Sequence, residues 1–333
     1  MGKVIKKLTV IFFAFLIASF LSHVVYSATL RISVATNKPT YNLGENILIS
    51  GNLTLDEKLV PDGLVIVEVD DPRNDAIVIR TRPTGPSVTG PWLINIVEID
   101  VEPDIVRRGD TATFEITLTV VGLSAQDVTV ALYIQYSNNV SFTLILPAWE
   151  GTLYPGLPWT TTISRQIDEY APLGTATVYA SAFTYQKLPK NGAFAYCPEY
   201  VTTFTITGST AGSSSQTGNP TSENGTFGFT IATLGMGGML GDYAVHACSY
   251  YSHILILNHT SFKVELKGDI TGLGGVPDGK VDMKDIAVVA KAFGSEPGEP
   301  GWNPIADLYP DGKIDMKDVA IPARNFGKWG TLP

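Results

Sequence analysis

Eighteen residues occur twice near the end of this chain, as "PDGKVDMKDIAVVAKAFG" at 277–294 and "PDGKIDMKDVAIPARNFG" at 310–327, 33 positions apart. In both copies Asp, Gly, Asp and Asp recur at the same offsets: Asp278, Gly279, Asp282, Asp285, and Asp311, Gly312, Asp315, Asp318. Carboxylates crowded in this way repel one another unless a cation joins them. Calcium is a hard cation that takes about six to eight oxygen ligands, and a loop wraps round it only with a sharp turn, which Gly at the sixth position supplies. Each copy is therefore expected to be a calcium loop followed by a helix.

The loop positions can be assigned. In the second copy, Asp307 is position one, Asp311 five, the Lys313 carbonyl seven, Asp315 nine and Asp318 twelve. Position three is Tyr309, whose side-chain oxygen does not reach, so this site is expected to be the weaker. In the first copy Asp269 and Thr271 take positions one and three. A five-residue insertion follows, and then Asp278, the Lys280 carbonyl, Asp282 and Asp285. The apolar eighth residues, Val281 and Ile314, are expected to join the two loops as a short strand. Ile286, Val289, Ala290 and Phe293 are expected on one helix face. Pro322 lies inside the second helix and is expected to kink or shorten it. Two plainer readings stand beside these: solvated Asp-rich turns that bind nothing, and calcium that folds the module without any partner.

The start of the chain has a different character. Lys3, Lys6 and Lys7 precede an apolar run from Leu8 to Leu21, and small residues follow at Val25 and Ser27. This reads as an export signal over residues 1–27, with a mature start near Ala28. An uncleaved membrane anchor is the alternative. Either places the remainder outside the cytoplasm, secreted or on the cell surface. The net charge of −9 and the lack of a basic patch argue against a nucleic-acid partner. Export permits a disulfide between Cys197 and Cys248, and two free buried thiols are the alternative. Four sequons, at Asn52, Asn139, Asn224 and Asn258, are glycosylation candidates expected at strand edges and turns.

Between these ends the chain reads as short strands and turns, hence mainly β. Residues 29–87 offer about four strands and 224–266 about three, each too few to close a sandwich. Residues 88–208 offer about seven. There Ala112, Phe114, Ile116, Leu118 and Val120 share one face, and Val128, Val130, Leu132 and Ile134 form a further inward row. Residues 209–223 are Ser/Thr/Gly-rich, as a linker is. The expected arrangement is one Ig-like sandwich, built from 29–87 and 224–266, interrupted by a complete Ig-like sandwich at 88–208. The module at 267–329 follows it.

Two resemblances carry further expectations. The Lys-Pro-x-Tyr-x-x-Gly-Glu stretch at 38–45 resembles macroglobulin-type (MG2) Ig-like domains. The block from Pro91, with "LPKNGAFAYCPEY" at 188–200, resembles inserted modules of archaeal cell-surface proteins. The duplicated ending resembles dockerin type I, a small helical EF-hand-like module. That resemblance implies two Ca2+ ions and a cohesin-like or other cell-surface protein partner. It places partner docking on Met283, Lys284 and Lys291, and on Met316, Lys317 and Arg324. The Met-Lys pairs depart from the Ser-Thr common in that family, which puts a standard cohesin in doubt. The combination implies a non-catalytic scaffold or adhesion protein. The alternative is a glycan-binding or hydrolytic component of extracellular polysaccharide breakdown.

Other constellations are weaker. His246, His253 and His259 lie close in sequence but lack a recognised ligand spacing. Trp92, Trp149 and Trp159 fit core or edge packing better than a sugar platform. The Arg108-Gly109-Asp110 tripeptide reads as a turn entering a strand. No nucleophile triad, phosphate loop or zinc-protease motif is present.

Overall fold

The structure, a computed structural model, describes residues 28–86, 92–137, 142–208, 224–232, 238–272 and 276–333. The expected export segment 1–27, the linker 209–223 and the sequon at Asn139 lie outside the described residues. The protein is mainly β, with two short helices near its C-terminus.

Alternation of apolar and polar residues sets the first sandwich. In β3 (Asn46–Leu55), Ile47, Ile49 and Leu53 point inward, because successive strand residues face opposite sides. This strand is central. β1 (Leu30–Thr36) pairs antiparallel on one side, from Leu30↔Leu55 to Thr36↔Ile49, and β15 (Thr226–Ala232) pairs antiparallel on the other. The facing sheet has the order β2 (Thr40–Asn42), β17 (Ile254–Glu265), β16 (Gly241–Tyr251), β5 (Leu64–Asp70), β6 (Ala76–Pro83). Strands from 30–83 and from 226–265 thus share both sheets. Tyr41, Ile49, Leu53, Val65, Val67, Tyr243, Val245 and Phe262 fill the space between. Each large apolar side chain so buried contributes about 1.5–3 kcal/mol.

Gly51 sits where β3 is flanked on both sides. A Cβ there would lie 1.9 Å from the Ser33 carbonyl oxygen and 2.6 Å from the Phe227 ring. Gly51→Ala is expected to destabilise the protein by about 1–3 kcal/mol through forced strand separation. Thermal unfolding checks this, and an unchanged midpoint would contradict it.

The second sandwich lies wholly within 94–207. One sheet is β12 (Trp159–Gln166), β9 (Thr111–Val120), β7 (Ile94–Glu102). The other is β11 (Phe142–Leu153), β10 (Gln126–Gln135), β13 (Gly174–Thr184), β14 (Tyr200–Thr207), β8 (Ile105–Arg107). Ala112, Phe114, Ile116 and Leu118 face Val128, Val130, Leu132 and Ile134 across its core, with Phe204 edge-on to Phe114.

The two sandwiches are pressed together. All seven residues of β5 are buried. Val65, Val67 and Val69 enter the first core, while Ile66 joins Ile79, Cys248, Ala131, Phe183 and Ala193 in a cluster between the sandwiches. Charged residues lie in this seam too. Arg80 donates from Nε and Nη2 to the two Glu199 oxygens at 2.8 and 2.7 Å. Arg82 adds a contact at 2.9 Å and the Thr81 N–H another at 3.1 Å. The Arg80 guanidinium stacks 3.4 Å above the Tyr179 ring centroid. Burial opposes ionisation of Glu199, but the Arg80 and Arg82 charges outweigh it and hold its carboxyl below the usual range.

Candidate functional site

Each repeat builds a loop that enters a helix: α1 (Met283–Lys291) and α2 (Met316–Asn325). The loop acids make the helix starts. Asp282 accepts from the Lys284 N–H at 2.6 Å, while Asp285 accepts from the Asp282 N–H at 2.8 Å. Asp315 and Asp318 repeat this reciprocal cap. Such caps satisfy N–H groups that a helix start otherwise leaves unpaired.

Asp269, Thr271, Asp278 and Asp285 come together in the first loop. The Asp269 oxygens accept the N–H groups of Asp278 at 3.1 Å and Gly279 at 2.8 Å. Asp285 Oδ1 accepts from the Ile270 and Thr271 N–H groups and from the Thr271 hydroxyl, at 2.8–2.9 Å. Burial pushes the Asp269 carboxyl up to about 6, and the Asp285 and Asp278 charges push the same way. In the second loop Asp307 Oδ2 accepts from the Gly312 N–H at 3.2 Å, and Asp318 Oδ1 from the Tyr309 N–H at 2.8 Å. Asp307 Oδ1 is buried without a hydrogen-bond partner. Lys317 Nζ reaches Asp311 Oδ2 at 2.7 Å and lies 4.8 Å from the Tyr309 ring centroid. Gly279 and Gly312 have φ of 81° and 78°, which only Gly adopts without strain. Backbone N–H groups of Lys280 and Lys313 close the turns on Asp278 and Asp311. The all-oxygen donor set, the orphaned Asp307 oxygen and the repulsion on Asp269 fit a hard cation in chemistry. The carboxylates are engaged with the backbone, however, and no group of three or more His, Cys, Asp or Glu is arranged to hold a metal among the described residues.

Two local expectations need correction. Val281 and Ile314 do not pair with each other. The Val281 N–H donates to the Lys328 carbonyl and its carbonyl accepts from Gly327; the Ile314 N–H donates to Ser295 and its carbonyl accepts from Gly294. Each loop is therefore closed by the exit of the other helix, with the two halves related by the repeat offset. The inward face of α1 is Asp285, Val289 and the flanking Ala292, while Ala290 and Phe293 are exposed; Ile286 is half-buried. The face is turned because the Asp285 carboxylate is drawn into the loop. Pro322 lies inside α2 and is buried. Gly268, with φ 95°, lets the chain approach: a Cβ there would lie 2.7 Å from Pro322 Cα.

The module rests on the first sandwich. Val281 enters that sandwich's core, whereas its counterpart Ile314 packs with Val289, Ala292 and Ala306. Asn325 Nδ2 donates to the Lys267 carbonyl, Asn42 Nδ2 donates to Asn325 Oδ1, and Leu240 and Thr331 bond through their backbones. Met283, Lys284, Lys291, Met316, Lys317 and Arg324 are all exposed.

Cys197 and Cys248 are free, in different clusters, and burial pushes both thiols up to about 12, so neither is a reactive thiolate. His246 and His259 face each other across β16 and β17, but His253 lies in the turn beside Tyr250, so the three do not converge. Trp149 and Trp159 are tilted by 37°, not coplanar. Asn224 is an exposed turn residue, but Asn52 and Asn258 lie within strands, contrary to expectation. Asn52 Oδ1 accepts from Ser33 Oγ, and Asn258 Nδ2 donates to the Ile32 carbonyl.

No family model matches the chain, and no curated protein matches it. Among solved structures it overlaps with the native E. coli alpha-2-macroglobulin at 10% identity and TM-score 0.23, over 72% of this chain and 23% of that one. A glycoside hydrolase family 2 beta-glucuronidase overlaps at 8% identity and TM-score 0.27, over 49% and 24%. The Pseudomonas fluorescens alkylpurine DNA glycosylase AlkC overlaps at 15% identity and TM-score 0.28, over 34% and 30%. This chain thus spans under a third of the length of each. Overlaps this loose carry no argument about activity.

Proposed function

We propose that the protein is a non-catalytic scaffold or adhesion protein acting outside the cytoplasm, with 267–329 as a calcium-dependent docking module. The observation that carries this is the crossed closure of the two repeats. It holds two Asp-rich loops in equivalent positions and leaves Met283, Lys284, Lys291, Met316, Lys317 and Arg324 exposed. Asp269, Thr271, Asp278, the Lys280 carbonyl, Asp282 and Asp285 would hold one ion. Asp307, Asp311, the Lys313 carbonyl, Asp315 and Asp318 would hold the other. The ions would cancel carboxylate repulsion and stiffen the loops. The dockerin resemblance makes a cohesin-like protein the partner class.

The test is capture by the full-length protein of a cohesin panel, with calcium and with chelator. Calcium-dependent capture is expected, reduced at least tenfold, about 1.4 kcal/mol, when Met283, Lys284, Met316 and Lys317 are all changed to Ala. Capture that persists in chelator, or survives those changes, would refute this docking mode.

A further inference from the structure

A second polar cluster lies in the seam between the sandwiches, distant in sequence from the loops. Glu68 and Asp70 share one face of β5, both fully buried. Lys190 reaches them from a 3-10 turn (Pro189–Asn191) of the inserted sandwich. Its N–H donates to Glu68 Oε2 at 2.8 Å. Its Nζ lies 3.1 Å from Asp70 Oδ2, 3.5 Å from Glu68 Oε1 and 3.0 Å from the Asn74 carbonyl. Glu68 Oε1 and Asp70 Oδ1 are buried without a hydrogen-bond partner. Two carboxylates can only accept, so they satisfy each other only when a proton is shared between them. Burial, with the hydrogen bond and charge of Asp70 adding to it, raises the Glu68 carboxyl to about 7. His246 Nε2 is 3.6 Å from Asp70 Oδ2, with His259 beside it.

We propose that Lys190 and Asp70 form an intramolecular amide bond, with Glu68 as the proton carrier. The arrangement holds what that condensation needs. An amine nucleophile and a carboxyl are in van der Waals contact, so the reaction is intramolecular and oriented. A second carboxyl, next to both, acts as general base and then acid. The Lys190 ammonium gives one proton to Glu68, and the free amine attacks Asp70 Cγ. The Nζ–Cγ bond forms. The Cγ–O bond breaks as Glu68 gives its proton to the leaving hydroxyl, which departs as water, while the adduct nitrogen returns one proton to Glu68. One proton remains on Glu68 and no redox partner is needed. Burial lowers the Lys190 pKa, but Asp70 and Glu68 more than offset this and raise it overall. The Lys190 ammonium is thus held in its charged form, so proton transfer to Glu68 has to precede attack. The product ties the inserted sandwich to β5 of its host, restraining the unfolded chain as a disulfide does.

The test is peptide mapping of purified full-length protein, denatured after incubation near neutral pH and digested with trypsin. A branched peptide joining Asp70 to Lys190, lighter than its parts by one water, is expected in wild type. It should be absent from Lys190→Arg and reduced at least tenfold in Glu68→Gln. Unlinked peptides with cleavage after Lys190 in wild type would overturn the proposal. Should Glu68→Gln fail to fold, the wild-type map alone decides. A link at wild-type yield in folded Glu68→Gln would overturn the role of Glu68.

Discussion

Glu199→Gln is expected to lower stability by about 3–5 kcal/mol, the cost of breaking a buried ion pair from one side. The change keeps volume and some hydrogen bonding but removes the negative charge that faces Arg80 and Arg82, both 2% exposed. Stacking on Tyr179 cannot replace a carboxylate within 3 Å of both guanidinium groups. Urea denaturation measures the loss, and a change under about 1 kcal/mol, the range of exposed pairs, would contradict it. The sign of the pH dependence follows. The Glu199 carboxyl is held below its unfolded value of about 4.3, so its stabilisation is complete above that pH. It is lost as pH falls through the lower folded value. Wild type should therefore lose stability on acidification below about pH 4.3, and Glu199→Gln should lose less over the same interval.

Calcium removal from the full-length protein is expected to raise amide exchange throughout 267–333 while the sandwich cores stay protected. An ion present at about 100 times its dissociation constant stabilises its site by about 2.7 kcal/mol, so two sites matter to a module this small. Loss in the first loop should also reach the tail, because Val281 is bonded to Lys328, and Thr331 to Leu240 and Gly238. Tyr309→Asn should tighten one site only, by supplying the missing oxygen at position three. Calorimetry reads both ions. Identical exchange with and without calcium would refute the calcium reading, and unchanged affinities in Tyr309→Asn would refute the second loop's register.

Patterns that repeat at short range were legible before the structure. Ala112 to Leu118 and Val128 to Ile134 alternate because a strand shows opposite faces in turn. The registered Asp and Gly positions mark turns whose geometry is local. Apolar periodicity puts Ile286, Val289, Ala290 and Phe293 on one helix face and takes no account of Asp285, which the loop pattern places as a ligand. In the structure its carboxylate is pulled inward by N–H groups of Ile270 and Thr271. The seam was not visible at all. Glu68 and Asp70 alternate with Val67 and Val69, and Arg80 and Arg82 flank Thr81, patterns that a solvent-facing row also writes. A second sandwich covers that row, and its Lys190 and Glu199 supply the partners.

By itself the sequence determined the mainly β character and the two Asp-rich loops each followed by a helix, because those depend on spacing within one segment. Only the tertiary structure decided that each loop closes on the other helix's exit, that Val281 and Ile314 enter different cores, and that two carboxylates meet a lysine 120 residues away. Those contacts depend on which surfaces are covered, and burial turns an ordinary polar face into paired charges that must find each other.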